Sequence, residues 1–375
     1  MFNEVLVPVF LLCVTIQLGY ALYFFAQIFS LPEHQSIPNP QQPVSVIICA
    51  KNEAVNLEAN LPSILAQRYS NEAGNAMYEV VVVNDASTDG TKAVLEGFVA
   101  KYSHLKVIHI APDERRTLPG KKYALSKGVA IAKYNFIVMT DADCMAASDN
   151  WLSRIVAPLH DGRQIVAGYG KYRETRGLLN TFIRWETIHT FIQYAGYAIA
   201  GKPYMAVGRN LACTKEMLLR AQETTAWGAL PSGDDDLLIR SQATATNMAI
   251  VASEDSFTTS DAKDTWSIWF KQKQRHISTG KYYKAGIKRL LGFYAQSHAF
   301  CWLAFIGLLF TCNWQLALGV MAVRCAVYWM IWYKATDVLQ EKNITAWFPL
   351  MDIGWALYNF ALSPYILLKN KQQWK

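Results

Sequence analysis

With 375 residues, 52% of them hydrophobic and 17% charged, and with 12 Trp and 19 Tyr, the chain is too apolar for an ordinary soluble enzyme. It is long enough for a sizeable domain plus membrane segments. Its net charge of +7 forms no basic arm and lies largely near apolar stretches, which argues against nucleic acid and for anionic headgroups and a nucleotide diphosphate as partners.

Seven scattered cysteines, odd in number and without a CxxC pair, indicate neither a disulfide framework nor a zinc site. Reduced thiols fit a domain facing the cytoplasm. Val5 to Phe29 carries no charged residue, and crossing a bilayer needs about 20 apolar residues. Residues 1–31 therefore read as a transmembrane anchor. A cleaved signal peptide fits less well, because no basic stretch precedes the run and no A-x-A site follows it.

Residues 32–43 form a Pro-rich linker, and 44–262 read as a catalytic domain. In its first half Val44 to Ala50, Tyr78 to Asn84, Leu105 to Ile110 and Asn135 to Thr140 are rich in β-branched residues and predict buried parallel strands. Helix-compatible stretches, Asn56 to Gln67, Thr91 to Tyr102 and Lys122 to Ala132, lie between them. That alternation predicts a doubly wound α/β sheet. Trp185 and Trp227 fit core packing better than a glycan track.

Residues 263–291 read as interfacial amphipathic helices: Trp266 to His276 sets aromatic and basic residues at helical spacing, and Lys281, Lys284, Lys288 and Arg289 follow. Within 292–375, the apolar segments Phe293 to Thr311, Trp314 to Tyr333 and Trp347 to Leu368 are interrupted only by Arg324 and Asp352. They predict two or three further spans. Three would put Lys369, Lys371 and Lys375 outside, against the positive-inside rule, so a re-entrant or flat-lying segment is the alternative.

Ligands of open α/β sheets bind beyond the carboxyl ends of the strands. The first predicted strand ends at Ala50-Lys-Asn-Glu53, the second at Asn84-Asp-Ala-Ser-Thr-Asp-Gly90 and the fourth at Asp141-Ala-Asp143. Acidic groups converging on one edge repel unless they share a cation. The Asp141 and Asp143 spacing lets one or both carboxylates approach a divalent cation, Mg²⁺ or Mn²⁺, whose other ligands are phosphate oxygens. Further on, Ser232-Gly-Asp-Asp-Asp-Leu237 gathers three carboxylates. They suit either a solvated helix start or a general base acting on an acceptor hydroxyl.

Val46-Ile-Ile-Cys-Ala-Lys-Asn-Glu53, Val83-Asn-Asp-Ala-Ser-Thr-Asp-Gly-Thr91, Gly120-Lys-Lys-Tyr-Ala-Leu125 and Thr140-Asp-Ala-Asp-Cys144 stand in the order of the signatures of family 2 glycosyltransferases, which the chain resembles. The resemblance is to the membrane-anchored branch that holds cellulose and hyaluronan synthases. It implies a GT-A nucleotide-sugar-binding domain with a doubly wound mixed sheet. It also implies that Ala50, Asn52, Glu53 and Asp85 hold the nucleoside, and that Asp141 and Asp143 hold the metal and diphosphate. Lys121 takes the family's lysine position, with Lys122 as the other candidate; Asn84 replaces a second aspartate.

The Gly-Asp-Asp element makes Asp235 the base, or Asp234 in the other register. Gly208-Arg-Asn-Leu-Ala212 is similar to the acceptor-side segment, although a turn opening a helix over Lys215 to Gln222 reads nearly as well. Gln272 and Arg275 resemble the QxxRW element, with His276 in place of its tryptophan; Arg275 would stabilise the diphosphate.

The resemblance thus implies an inverting, metal-dependent hexosyltransferase of the bacterial inner membrane with a cytoplasmic catalytic domain. Its donor would be a nucleotide sugar carrying UDP, and its acceptor a lipid-linked species or glycan. Partner proteins would belong to an envelope glycan pathway. A processive polysaccharide synthase is the rival within the class. Outside it stand a noncatalytic membrane scaffold, which the retained carboxylates oppose, and a dinucleotide oxidoreductase, for which no G-x-G-x-x-G follows the first strand.

Overall fold

The computed structural model describes residues 2–31, 42–230 and 233–367. The N-terminal helix α1 (Phe2–Tyr23) is followed by a 3₁₀ segment, Phe25–Ser30. Strands and helices then alternate: β1 (Val44–Ala50), α2 (Ala54–Leu65), β2 (Tyr78–Asp85), α3 (Thr91–Val99), β3 (Leu105–Ile110), α4 (Lys121–Ile131) and β4 (Phe136–Asp141). Next come β5 (Met145–Ala146), α5 (Trp151–His160), β6 (Ile165–Gly168), β7 (Gly170–Tyr172), α6 (Leu178–Ile199), β8 (Leu211–Thr214) and α7 (Lys215–Gln222). Then follow α8 (Thr225–Ala229), α9 (Asp234–Gln242), β9 (Met248–Val251) and β10 (Thr258–Ser260). The described chain closes on α10 (Trp266–Ile277), α11 (Ala285–Leu309), α12 (Trp314–Val338) and α13 (Phe348–Leu367).

The described residues separate into two compact units, one of 42–174 with 203–263, the other of 2–31, 175–202 and 264–367. In the first, a seven-stranded sheet has the order β3-β2-β1-β4-β8-β6-β9. Strands β3, β2, β1 and β4 are mutually parallel, β8 runs antiparallel to β4 and β6, and β9 is parallel to β6. The sheet is therefore mixed. Every residue of β1 and β2 is buried, as central parallel strands covered on both faces require. Their β-branched side chains meet Leu57, Leu61, Trp151 and Ile155 in the core. Strand β3 departs from the expectation of a buried strand: it is the sheet edge, and Lys106 and His109 leave it part-exposed.

The second unit is helical. Three of its segments are long and apolar enough to cross a membrane, Glu4–Ser30, Ala285–Leu309 and Trp314–Val338, one N-terminal and two C-terminal. The third apolar segment, Trp347 to Leu368, becomes α13 and is not one of the three found among the described residues; Leu368 and the basic tail lie outside the described residues. Helix α11 starts at Ala285, so Lys288 and Arg289 stand in its first turns rather than in a separate interfacial helix.

Helix α6, inside the stretch that reads from sequence as the catalytic domain, packs in this helical unit. Its Arg184 meets Glu341 at 2.9 Å, its Glu186 pairs with Lys273 of α10, and its Trp185 stacks on Trp332.

The two charges that interrupt the apolar segments neutralise each other. Arg324 Nη1 of α12 donates to Asp352 Oδ2 of α13 at 2.7 Å. His298 and Trp302 of α11 lie at 3.0 and 3.1 Å from the same carboxylate. Gln17 of α1 accepts from Arg324 and from Tyr328 and donates to Ser297. Four helices thus share one buried polar knot in an apolar bundle, where an unpaired charge is costly. Asp352→Leu leaves Arg324 without its counter-charge and is expected to cost about 3–5 kcal/mol. Thermal unfolding in detergent checks it: Arg324→Leu/Asp352→Leu should recover much of the loss, and a double variant as unstable as the sum of the singles would contradict the coupling.

Candidate active site

The carboxyl ends of β1, β2 and β4 lie side by side, and the turns after β1 and β2 are tied together. Asn52 and Ala86 hold positive φ values of 57° and 52°, a backbone that non-glycine residues adopt only when their surroundings enforce it. Here they do. The Asn52 amide donates to Ser87 Oγ at 2.9 Å, and Thr88 donates back to Asn52 Oδ1 at 2.8 Å. The amides of Glu53 and Ala54 donate to Thr91 and Asp89. Ala50 ends β1, fully buried.

Asp85, at the end of β2, is fully buried and accepts two hydrogen bonds from the Arg116 guanidinium, at 2.5 and 3.0 Å. Asn84 beside it contacts His109 at 3.0 Å and accepts from the Ser87 amide, so the asparagine that departs from the family pattern has a structural task of its own.

Asp141 closes β4 and Asp143 follows it. The Lys121 ammonium, from the first turn of α4, lies 2.5 Å from Asp141 Oδ1 and 4.0 Å from Asp234 Oδ2. Burial opposes the charge on Lys121, but Asp141 and Asp234 outweigh it and hold the lysine protonated far above its usual range. Asp143 is pushed up by burial and then by Asp141, with Arg209 and Lys263 pulling the other way. An aspartate short of positive charge beside a second carboxylate is a donor set that a divalent cation satisfies. Among the described residues no three His, Cys, Asp or Glu side chains cluster for a metal, so Asp141 and Asp143 would leave the remaining positions to phosphate or water.

Asp235 accepts from the Gly208 amide at 2.8 Å and from the Asp236 amide at 2.9 Å. Burial, and then the neighbouring Asp234, raise it to about 6. Gly233 enters α9 with φ 78°, a conformation suited to glycine. Gly208–Arg209 belongs to this site and not to a helix start, because strand β8 stands between it and α7. The Arg209 guanidinium donates to Ser260 Oγ and the Gly170 carbonyl and lies 4.2 Å from the Tyr172 ring centroid. Burial lowers Arg209 but Tyr172, Cys144 and the two aspartates prevail, and it stays charged.

Of the residues singled out from sequence, Asn52, Glu53, Asp85, Lys121, Asp141, Asp143, Asp234 and Asp235 all lie in the sheet-bearing unit. Gln272 and Arg275 lie in the helical unit, one turn apart on α10 and both half-buried. Lys122 is not an equivalent of Lys121: it is fully buried and donates to the Trp227 and Leu230 carbonyls. Trp185 and Trp227 are both core residues. Sequence reasoning missed Arg116, in a loop without periodicity, and gave Arg209 no role beyond its segment. Their signal, a cation near a buried carboxylate, exists only in three dimensions.

Residues 45–210 match the family described as Glycosyl transferase family 2. The chain carries a family 2 glycosyltransferase domain. The beta-monoglucosyldiacylglycerol synthase of Nostoc sp. is 30% identical over 161 residues, 42% of this chain and 32% of that protein. The probable glycosyltransferase YdaM of Bacillus subtilis is 26% identical over 248 residues, 64% of this chain and 55% of its own. This chain thus spans 32% and 55% of the length of these two relatives. In fold, a mannosyltransferase from Pyrobaculum calidifontis, solved with GDP-Man and Mn²⁺, aligns with a TM-score of 0.57 and 18% identity over 96% of this chain and 99% of that one. The mixed sheet is that of the GT-A fold.

A side chain at Gly208 would crowd Asp235, the candidate base. Its Cβ would stand 3.3 Å from Asp235 Oδ2 and 3.6 Å from Asp235 Cβ. Gly208→Ala should lower turnover about 10-fold, since misplacing a reacting group by a fraction of an ångström is costly, while the melting temperature stays within a few degrees. Wild-type turnover in steady-state assay would contradict the placement.

Proposed function

We propose that this protein is an inverting, divalent-cation-dependent glycosyltransferase that moves a sugar from a nucleotide diphosphate donor, with UDP as the expected nucleotide, to a lipid-linked or glycan acceptor at the cytoplasmic face of a membrane. The observation that carries the reading is the Lys121 ammonium between Asp141 and Asp234: one cation joins a donor-side carboxylate to an acceptor-side one. The lipid product in the name of the Nostoc relative and the three span-length apolar helices favour a lipid-linked acceptor in a bacterial inner membrane.

In this reading Asn52, Glu53 and Asp85 bind the nucleoside, and Arg116 shields the Asp85 carboxylate when no base is there. Asp141 and Asp143 would hold the cation, which when bound offsets negative charge on the diphosphate. Lys121 adds a fixed positive charge beside them. Asp235 takes the proton of the acceptor hydroxyl, and the hydroxyl oxygen bonds to the anomeric carbon as the bond from that carbon to the diphosphate oxygen breaks. One displacement of this kind inverts the anomeric configuration. A carboxylate titrating at about 6 is ionised at neutral pH yet basic enough to accept a proton. Asp234, closer to Lys121, is the other candidate for that role.

Detergent-solubilised protein should release nucleoside diphosphate from one member of a panel of UDP- and GDP-sugars, with Mn²⁺ or Mg²⁺ and not with EDTA. Asp141→Ala and Asp235→Ala should each lower turnover at least about 100-fold. Turnover indifferent to EDTA and to both substitutions would remove the proposed site, and long polymer as product would replace the lipid-linked acceptor with a processive one.

The base also sets a pH dependence. Its ionised form is the active one, so kcat/KM should fall as pH drops through about 6. Asp234→Asn removes the like charge that helps hold the Asp235 proton, so the acid limb should move to lower pH. A limb that stays in place, or moves up, rejects Asp235 as the titrating base.

A further inference from the structure

Two adjacent lysines open α4 and point to different tasks. Lys121 meets the carboxylates. Lys122 is fully buried and held by carbonyls instead: its ammonium donates to the Trp227 carbonyl at 2.9 Å and to the Leu230 carbonyl at 3.0 Å, and lies 5.2 Å from the Trp227 ring centroid. Trp227 lies within the short helix α8 and Leu230 caps its carboxyl end, where C=O groups have no partner within the helix.

A buried ammonium held by two carbonyls and an indole face is an expensive way to fill a core, because neutral donors or an apolar side chain would avoid desolvating the charge. Burial lowers Lys122 to about 8, with Asp234 and Asp235 opposing. Among the described residues, Asp234 and Asp235 of α9 are the charged groups that act on its ammonium. Placement of the segment it grips accounts for its presence. Gly233 follows Leu230 by three residues, which span at most about 10–11 Å, so holding Leu230 restricts where Gly233 and the adjoining Asp234 and Asp235 begin.

We propose that Lys122 is a positioning residue: by fixing the end of α8 it sets the stance of Asp234 and Asp235 opposite Lys121. The inference rests on the glycosyl-transfer reading and deepens it. The first turn of α4 then serves both substrates, with Lys121 on the donor side and Lys122 holding the segment that carries the base. Loss of the Lys122 proton removes the charge from the grip, so transfer weakens on the alkaline side while donor binding does not.

The test is Lys122→Met, a variant of similar length without donors or charge, assayed as the full chain in detergent. The expected result is a kcat at least 10-fold lower, a nucleotide-sugar KM within about twofold of wild type, and a melting temperature unchanged or higher. In the wild type kcat should decline as pH rises through about 8, a limb missing from the variant. The wild-type profile serves even where the variant folds poorly: turnover flat to pH 10 overturns the inference. A fall in kcat matched by an equal rise in donor KM and a lower melting temperature also overturns it, leaving a structural lysine. Wild-type turnover in Lys122→Met beside an inactive Asp235→Ala rejects the inference and spares glycosyl transfer; wild-type turnover in both rejects the two together.

Discussion

One ammonium decides whether the acidic rim of this sheet can exist. Without Lys121, Asp141 and Asp234 would add to Asp143 and Asp235 a concentration of negative charge that burial makes more repulsive. With it, the rim keeps fixed positive charge, and Asp143 and Asp235 are still raised, each by burial first and then by a neighbouring carboxylate. That imbalance suits a site that receives a cation and an anionic diphosphate together, since each ligand completes the charge of the other.

The surrounding fold exists to hold that rim still. Strands β1, β2 and β4 are parallel neighbours whose registered pairing brings Ala50, Asn84 and Asp141 to one end of the sheet. The Asn52 and Ala86 turns, in conformations costly for their side chains, are locked across to each other by Ser87 and Thr88. Gly208 reaches the same end because β8 runs antiparallel to β4, which puts the start of β8 beside the end of β4. Thr140 Oγ1 donates to the Arg209 carbonyl at 2.9 Å and joins the two. The helical unit solves a different electrostatic problem with the same means: Arg324 and Asp352 are tolerable among apolar helices because they meet.

Much of this was legible in the sequence, for local reasons. Val44 to Ala50 and Tyr78 to Asn84 are β-branched runs that could be little else than buried strands, and the acidic motifs follow such runs directly. Helix Lys215 to Gln222 was readable to the residue. The four-residue strands β6, β8 and β9 were not, because their place depends on partners distant in the chain. Helix α6 was hidden for a related reason: Arg184, Glu186 and His189 give it a soluble composition, and only Glu341 and Lys273 make those charges fit a helical bundle. Arg324 and Asp352 were visible as interruptions, but their union needs the register of two helices. In the site, the motifs named the carboxylates, whereas the cations Arg116, Lys122 and Arg209 could be recognised only from what they touch.

The most direct measurement is anomalous scattering from crystals or a bound-state structure of the full chain prepared with Mn²⁺ and UDP. A site of the kind described here requires a manganese peak within about 2–2.5 Å of an Asp141 or Asp143 carboxylate oxygen, with the diphosphate on the same ion. Manganese and nucleotide bound elsewhere, with both aspartates free of metal at the end of β4, would contradict it.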